Sequence, residues 1–298
     1  MTNSGTGLSL PRARRYNRVM DKNLFIFGYG YSAQALARVL MADGWQVTGT
    51  SREGRDGTLM WPGADITDAL SKASHLLISA GPNEAGDPVL AGARDLIAAQ
   101  APHLKWVGYL STTGVYGDHQ GGWVDEATPL TPATKRGQWR IDAETAWQAL
   151  AKDTGLPLHI FRLAGIYGPG RGPFAKVRRG TARRIVKKNQ VFSRIHVEDI
   201  AQVLAASIAR PNPGAIYNVC DDEAAPPEDV LAHAAALLGM EIPPSEDFET
   251  AEMTPMARSF YTESKRVANA RIKRDLGIAL KYPTYREGLA ALLTGEPK

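Results

Sequence analysis

The chain has one cysteine, Cys220, in 298 residues. A lone thiol closes neither an internal disulfide nor a zinc cage, so the expected setting is reducing and cytoplasmic, and no metal is expected. Long apolar runs are missing as well. None approaches the ~20 residues that span a bilayer, and the N-terminus shows no apolar signal core; no membrane partner is expected. Neither sign of charge dominates: 35 Lys+Arg against 31 Asp+Glu leave a net +4. The basic clusters lack an aromatic-interleaved motif, so nucleic acid is not an expected partner. Internal repeats and low-complexity tracts are also absent.

What remains is an ordinary globular composition, 44% hydrophobic and 22% charged, which excludes wholesale disorder. The length suits one large α/β domain, or a nucleotide-binding domain with a smaller lobe. Residues 1–22, with Arg12, Arg14, Arg15 and Arg18 and little apolar content, read as a mobile basic arm. The stretch from Phe174 to Arg194 holds eight cations, Lys176 and Arg183 among them, and no acid.

The order of elements is repeated strand then helix. Leu24–Phe27 runs into glycines, and Ala33–Met41 follows with helical spacing of Ala, Leu and Val, ended by Gly44. "WQVTGTSR", "HLLISAGP", "KWVGYLSTTG" and "LHIFRLAGIYG" are further short apolar runs with the look of buried parallel strands. Helical stretches at Val89–Gln100 and Gly137–Lys152 lie between them. The fold class is α/β, a doubly wound parallel sheet of the Rossmann type. After Gly165 the chain turns loop-rich, apart from a helix near Val197–Ala209 and a strand at "AIYNVC". The expected division is a dinucleotide-binding core at 23–165 and a mostly substrate-side lobe at 166–298, with 195–220 returning to the core.

In "GYGYSA", Gly28 permits a tight turn, Gly30 lets the backbone approach a pyrophosphate, and Ala33 keeps the helix close to the strand. Tyr31 and Ser32 open that helix, whose N-terminus faces an anion. The end of the second strand separates the two nicotinamide cofactors, since NAD sites place an acid there and NADP sites a cation. Ser51 and Arg52 stand at that point, so NADP is expected, with NAD the alternative; as a bare sequence feature Arg52 also fits a solvated loop residue.

Several separated stretches together resemble one family, the extended and atypical short-chain dehydrogenases/reductases, also called the NAD-dependent epimerase/dehydratase superfamily. "LSTTGVYGD" resembles its fifth strand with the Ser/Thr site, "DEATPLTP" its acidic, proline-bearing loop, and "FRLAGIYGPGR" its sixth strand. "RIHVEDIA" and "YNVCDD" resemble parts of its C-terminal lobe. The resemblance implies that Thr112 holds the catalytic hydroxyl, that Ala80 and Gly81 border the cofactor riboses, and that Asp65 and Ile66 flank the adenine. It places Leu163, Ala164 and Gly165 at the nicotinamide and Arg194 and His196 on the substrate side; Asp199 fits either a family site or a helix cap.

One motif departs from the family. "TKRGQWRIDAE", aligned on Gly137 and Glu144, puts Arg136 at the place of the catalytic tyrosine and Arg140 at that of the lysine. A guanidinium keeps its proton to about pH 12 and cannot relay one near neutrality. Two functions therefore stand side by side. One is an NAD(P)-dependent epimerase, dehydratase or oxidoreductase acting on a small anionic, nucleotide-sugar-like substrate, with Tyr116 as replacement acid and Arg136 or Arg140 stabilising negative charge. The other is an NADP-binding sensor or scaffold that has lost the chemistry. Homodimer formation is a further expectation, through a helical stripe of Trp139, Ala143, Ala146 and Leu150 with Trp147 beside it; the same stripe also fits packing on the chain's own sheet.

Overall fold

The structure is a computed structural model that describes residues 22–295, apart from the side chain of Met256. The arginines of the basic arm lie outside the described residues. Seven parallel strands form one sheet: β1 (Asn23–Phe27), β2 (Gln46–Ser51), β3 (Leu59–Met60), β4 (His75–Ile78), β5 (Trp106–Thr112), β6 (Leu158–Leu163) and β7 (Ile216–Val219). Their order is 3-2-1-4-5-6-7. Strand order reverses between β1 and β4, and a crevice at that switch point is where doubly wound sheets bind ligands.

Alternation along β1 explains the two layers. Leu24 and Ile26 face one apolar cluster, with Leu36 and Leu40 of helix Tyr31–Ala42 and Val203 and Leu204 of helix Val197–Ala209. Phe25 and Phe27 face the other, with Ile97 of helix Pro88–Gln100 and Trp147 of helix Lys135–Thr154. A strand covered on both faces reads as a continuous apolar run, because neither of its faces meets water.

Three of the sequence expectations need correcting. The helices begin one or two residues earlier than periodicity suggests, because the Thr134 hydroxyl and the Asp87 carboxylate cap them from outside the apolar pattern. "LHIFRLAGIYG" is not one strand. At Ala164 the chain leaves the sheet, and Gly165–Tyr167 pairs instead with Arg194–His196. Finally, Ala143, Trp147 and Leu150 are buried against the chain's own sheet, and Trp147 Nε1 donates to Asp87 at 3.1 Å. These three positions of the stripe are core, whereas Trp139 and Ala146 of the same stripe are only half-buried.

A separate apolar cluster gathers Tyr167, Phe174 and Val177 with Val230, Ala234, Tyr285 and Leu289 beyond the C-terminal ends of the strands. Among the described residues no helix is long and apolar enough to cross a membrane.

Candidate functional site

The glycine turn is held to its neighbours by backbone. Gly28 has φ +85°, and a Cβ there would stand 2.7 Å from Ala80 N. Gly28 N–H donates to Thr50 Oγ1 at 3.1 Å and Tyr29 N–H to Thr50 O at 2.8 Å, so the turn is tied to β2 as well as β4. Gly30 caps the helix without any side-chain acceptor. The first helical bond runs from Gln34 N–H to Gly30 O, which leaves the N–H groups of Tyr31, Ser32 and Ala33 ahead of the hydrogen-bonded ladder. A Cβ on Gly30 would approach only Gly28 O, at 4.0 Å. Uncapped donors and an open side suit a phosphate. The Tyr31 side chain turns elsewhere: its hydroxyl donates to Pro169 O at 2.9 Å, and Arg171 lies over its ring.

At the end of β2 the Ser51 hydroxyl is taken up by the local loop, 2.7 Å from Thr58 Oγ1 and accepting Arg55 N–H at 3.2 Å. Arg52 is exposed, and among the described residues it has no hydrogen-bond or ion-pair partner; Glu53 pairs with Arg55 instead. Asp65 is exposed, and hydrogen bonding from the Thr67 side chain and then its N–H lowers its pKa. The Ile66 side chain is in the core, so only its backbone is available to a ligand.

The strands bring Thr112, Leu163, Ala80, Gly81 and Arg140 to one end of the sheet. Thr112 and Leu163 are register partners. Thr112 Oγ1 accepts Gly114 N–H at 3.2 Å. Helix Lys135–Thr154 sits directly on that turn, since a Cβ on Gly137 would be 2.9 Å from Gly114 O. One turn further along, Arg140 Nη1 donates to Leu110 O at 2.6 Å and to Tyr109 Oη at 3.2 Å. Its Nη2 lies 2.8 Å from where a Gly81 Cβ would be. Arg136 is exposed, without a partner among the described residues.

The model described as the NAD dependent epimerase/dehydratase family matches residues 25–220. The chain belongs to that family. It is 30% identical over 285 residues to protein YeeZ of Escherichia coli K12, covering 88% of this chain and 97% of that one. A solved structure of a conserved protein of unknown function from Silicibacter pomeroyi DSS is 59% identical, with TM-score 0.88 and 92% and 98% of the two chains covered. dTDP-glucose 4,6-dehydratase from Bacillus anthracis, solved with NAD, shares the fold at 16% identity and TM-score 0.70, over 91% of this chain and 95% of that one.

Within this family member, Tyr116 is the clearest correction. It is fully buried, its hydroxyl donates to Asn218 Oδ1 at 2.7 Å, and it accepts from Arg162 Nη1 at 3.0 Å. Burial raises its pKa. A hydroxyl so enclosed has no surface from which to protonate a substrate, so Tyr116 is not a replacement acid. The network continues through Arg162 Nη2 to Glu144 Oε2 at 2.7 Å, and Ser111 donates to Glu144 Oε1 at 2.5 Å. The arginine in "LHIFRL" was the available signal, because a cation inside a fully buried strand demands a buried partner.

Arg194 and His196 do not share a site. Arg194 lines a cavity of about 510 Å³ beside the second apolar cluster, with Arg171, Lys176, Arg183, Tyr167, Tyr261 and Tyr285. Arg183 is paired to Glu246 at 2.9 Å through Nε, and Arg194 donates to the carbonyls of Phe192 and Ala225. Burial lowers the pKa of Arg194. His196 caps helix Val197–Ala209 and borders a different cavity. Asp199 accepts Lys281 N–H at 2.7 Å and Tyr282 N–H at 3.0 Å, which makes it a clamp on the C-terminal segment, while the helix-cap place falls to His196. The residue sequence reasoning overlooked is Arg171, which borders both cavities.

Proposed function

We propose that the protein binds a nicotinamide dinucleotide at the glycine turn, NADP in preference to NAD, and holds a small anionic substrate in the larger cavity. The observation that carries this reading is Arg52, an exposed cation without a partner among the described residues at the end of β2. A 2′-phosphate there gains a charge-assisted bond worth about 1.5–3 kcal/mol. When bound, such a cofactor takes or supplies a hydride. The chain's own residues do the rest. The N–H groups of Tyr31, Ser32 and Ala33 hold the pyrophosphate. Asp65 and the Ile66 backbone border the adenine, and Ala80 and Gly81 the riboses. Arg140, anchored to β5, contributes the cation on that side, and Leu163, Ala164 and Gly165 carry backbone to the nicotinamide end. Thr112 offers a hydroxyl to the substrate oxygen, and Arg171, Lys176 and Arg194 face its anionic group.

Proton transfer is where this chain differs from the pattern it resembles. With Arg136 in the tyrosine's place and Tyr116 enclosed, no side chain assigned to the site gives up a proton near neutral pH. That favours binding without ordinary turnover, as in a cofactor-loaded sensor, over a fast reductase. Titration calorimetry should show NADP binding more tightly than NAD, and Arg52→Ala should weaken NADP about ten- to a hundredfold while leaving NAD nearly unchanged. Tighter binding of NAD to the unaltered protein would overturn the cofactor assignment.

A further inference from the structure

Tyr31 belongs to two parts of the molecule at once. Its N–H group lies ahead of the first helical bond, at the glycine turn, while its side chain leaves that turn for the lobe beyond the sheet. The hydroxyl donates to Pro169 O at 2.9 Å, and the residue packs against Ala35 of its own helix and Val197 and Ala201 of helix Val197–Ala209. Burial raises its pKa, so the hydroxyl keeps its proton and stays a donor at any ordinary pH. The segment it reaches is a closed turn: Gly168 N–H donates to Arg171 O at 3.0 Å, and Arg171 N–H to Gly168 O at 2.9 Å. Gly168 has no room for a side chain. A Cβ there would stand 2.5 Å from the Tyr31 hydroxyl and 2.7 Å from Val197 Cγ1, so the turn is shaped to admit that hydroxyl.

Arg171 closes the turn and lines the larger cavity. Its guanidinium carbon lies 5.7 Å from the centroid of the Tyr31 ring, and it has no carboxylate partner among the described residues. A cation seated on a ring keeps its N–H groups free for an anion. At the other end of Tyr31 the helix starts without a side-chain cap, and an uncapped first turn is the part of a helix that frays. A phosphate on the N–H groups of Tyr31, Ser32 and Ala33 supplies the missing acceptor and suits the helix dipole. It thereby holds the Tyr31 backbone, and with it the ring, in the position that the turn is shaped to receive.

We propose that Tyr31 is a positioning residue that couples the dinucleotide to the wall of the larger cavity: phosphate bound at its N–H group steadies its side chain, and the side chain steadies the turn that carries Arg171 into that wall. This rests on the reading that a dinucleotide occupies the glycine turn. NADP and NAD act alike here, since both carry the same pyrophosphate.

Amide hydrogen exchange of the full chain, free and saturated with NADP (or with NAD if only that binds), reads the coupling at the Gly168 and Arg171 N–H groups. In the unaltered protein the dinucleotide should slow both about three- to tenfold. Ala215 N–H, bonded to Asn212 O ahead of β7 at the other end of the sheet, is the control; equal slowing there would mean general stabilisation by the ligand and would overturn the coupling. Tyr31→Phe keeps the ring under Arg171 and deletes only the bond to Pro169. It should speed exchange of the two turn amides in the free chain about three- to tenfold, and saturating dinucleotide should no longer slow them. Gly168→Ala breaks the same contact from the loop side and should also abolish the slowing. If calorimetry shows that neither dinucleotide binds the unaltered chain, the cofactor reading fails and takes this inference with it. A dinucleotide that binds yet leaves the two amides unchanged, or slows them as much in Tyr31→Phe, overturns the inference alone.

Discussion

Replacing Tyr116 by Phe separates a structural hydroxyl from a catalytic one. The oxygen is fully buried and makes two bonds, to Asn218 Oδ1 at 2.7 Å and from Arg162 Nη1 at 3.0 Å. Phe fills the same space but leaves both partners short of a bond. An unsatisfied neutral group costs about 1–3 kcal/mol and a charged one more, so a loss of about 3 kcal/mol is expected. Arg162 keeps Glu144, which limits the damage: the Nε and Nη2 bonds at 3.2 and 2.7 Å remain. For a chain of 298 residues, 1 kcal/mol moves Tm by roughly 1.6 °C at about 2.1 cal/mol/K of unfolding entropy per residue, so Tyr116→Phe should melt roughly 5 °C lower. Its affinity for NADP should stay within about twofold, since no part of the change reaches the glycine turn. Differential scanning calorimetry and ligand titration on the same preparation read both quantities. An unchanged Tm together with loss of a measurable turnover would refute the reasoning and return Tyr116 to the chemistry.

Arg136→Tyr with Arg140→Lys installs a proton donor and its tuning cation on adjacent turns of helix Lys135–Thr154; carbonyl reduction followed by NADPH absorbance should rise about a hundred- to ten-thousandfold, and no rise would mean the substrate cleft itself is unsuited. Gly117→Ala should be severely destabilised or insoluble, because φ is +72° and a Cβ would overlap Thr131 O at 1.8 Å; a near-normal urea midpoint would contradict it. Burial holds His75, His159 and His196 near a pKa of about 4, whereas the unfolded chain protonates them near 6.5. Unfolded protein thus binds more protons between those values, and stability falls as pH drops through that window, by about 2 kcal/mol per imidazole at pH 5. Asp221, pushed up to about 8 by burial, keeps a proton that its unfolded form lacks and offsets part of the loss. The urea midpoint should still be lower at pH 5 than at pH 7, and an equal or higher one would show that these imidazoles are not held neutral.

The doubly wound sheet is legible in the sequence because two-sided burial writes itself as unbroken apolar runs: "LFIF", "HLLI" and "HIFRL" need no partner to be recognised. Strand β3 is not, since two residues carry no period. The tight turn at Gly28, the open side of Gly30 and the exposure of Arg52 are legible through backbone chemistry and charge at fixed offsets from a strand. The roles of Tyr116, Arg194 and His196 are not, because direction decides them. Nothing in "VYG" says that the ring points inward to meet Asn218, 102 positions away. Two residues of one strand, Arg194 and His196, border different cavities, whose walls share Arg171 and Gly172.

Strand β6 is buried along all six residues, and its outer partner β7 lies about 50 positions later in the chain. At ~5–20 residues per second of synthesis, a nascent chain holds this flat apolar ribbon with one side unpaired for several seconds. Such an exposed ribbon is a template for another chain to add itself. Arg162 sits in the middle of it. Its partners, Glu144 and Tyr116, precede it in the chain, so until both have docked on it that cation is a charge planted in a would-be aggregation seam, where pairing with a foreign strand means burying it without them. The residue that ends as one member of a buried polar network therefore begins as a guard on the growing edge.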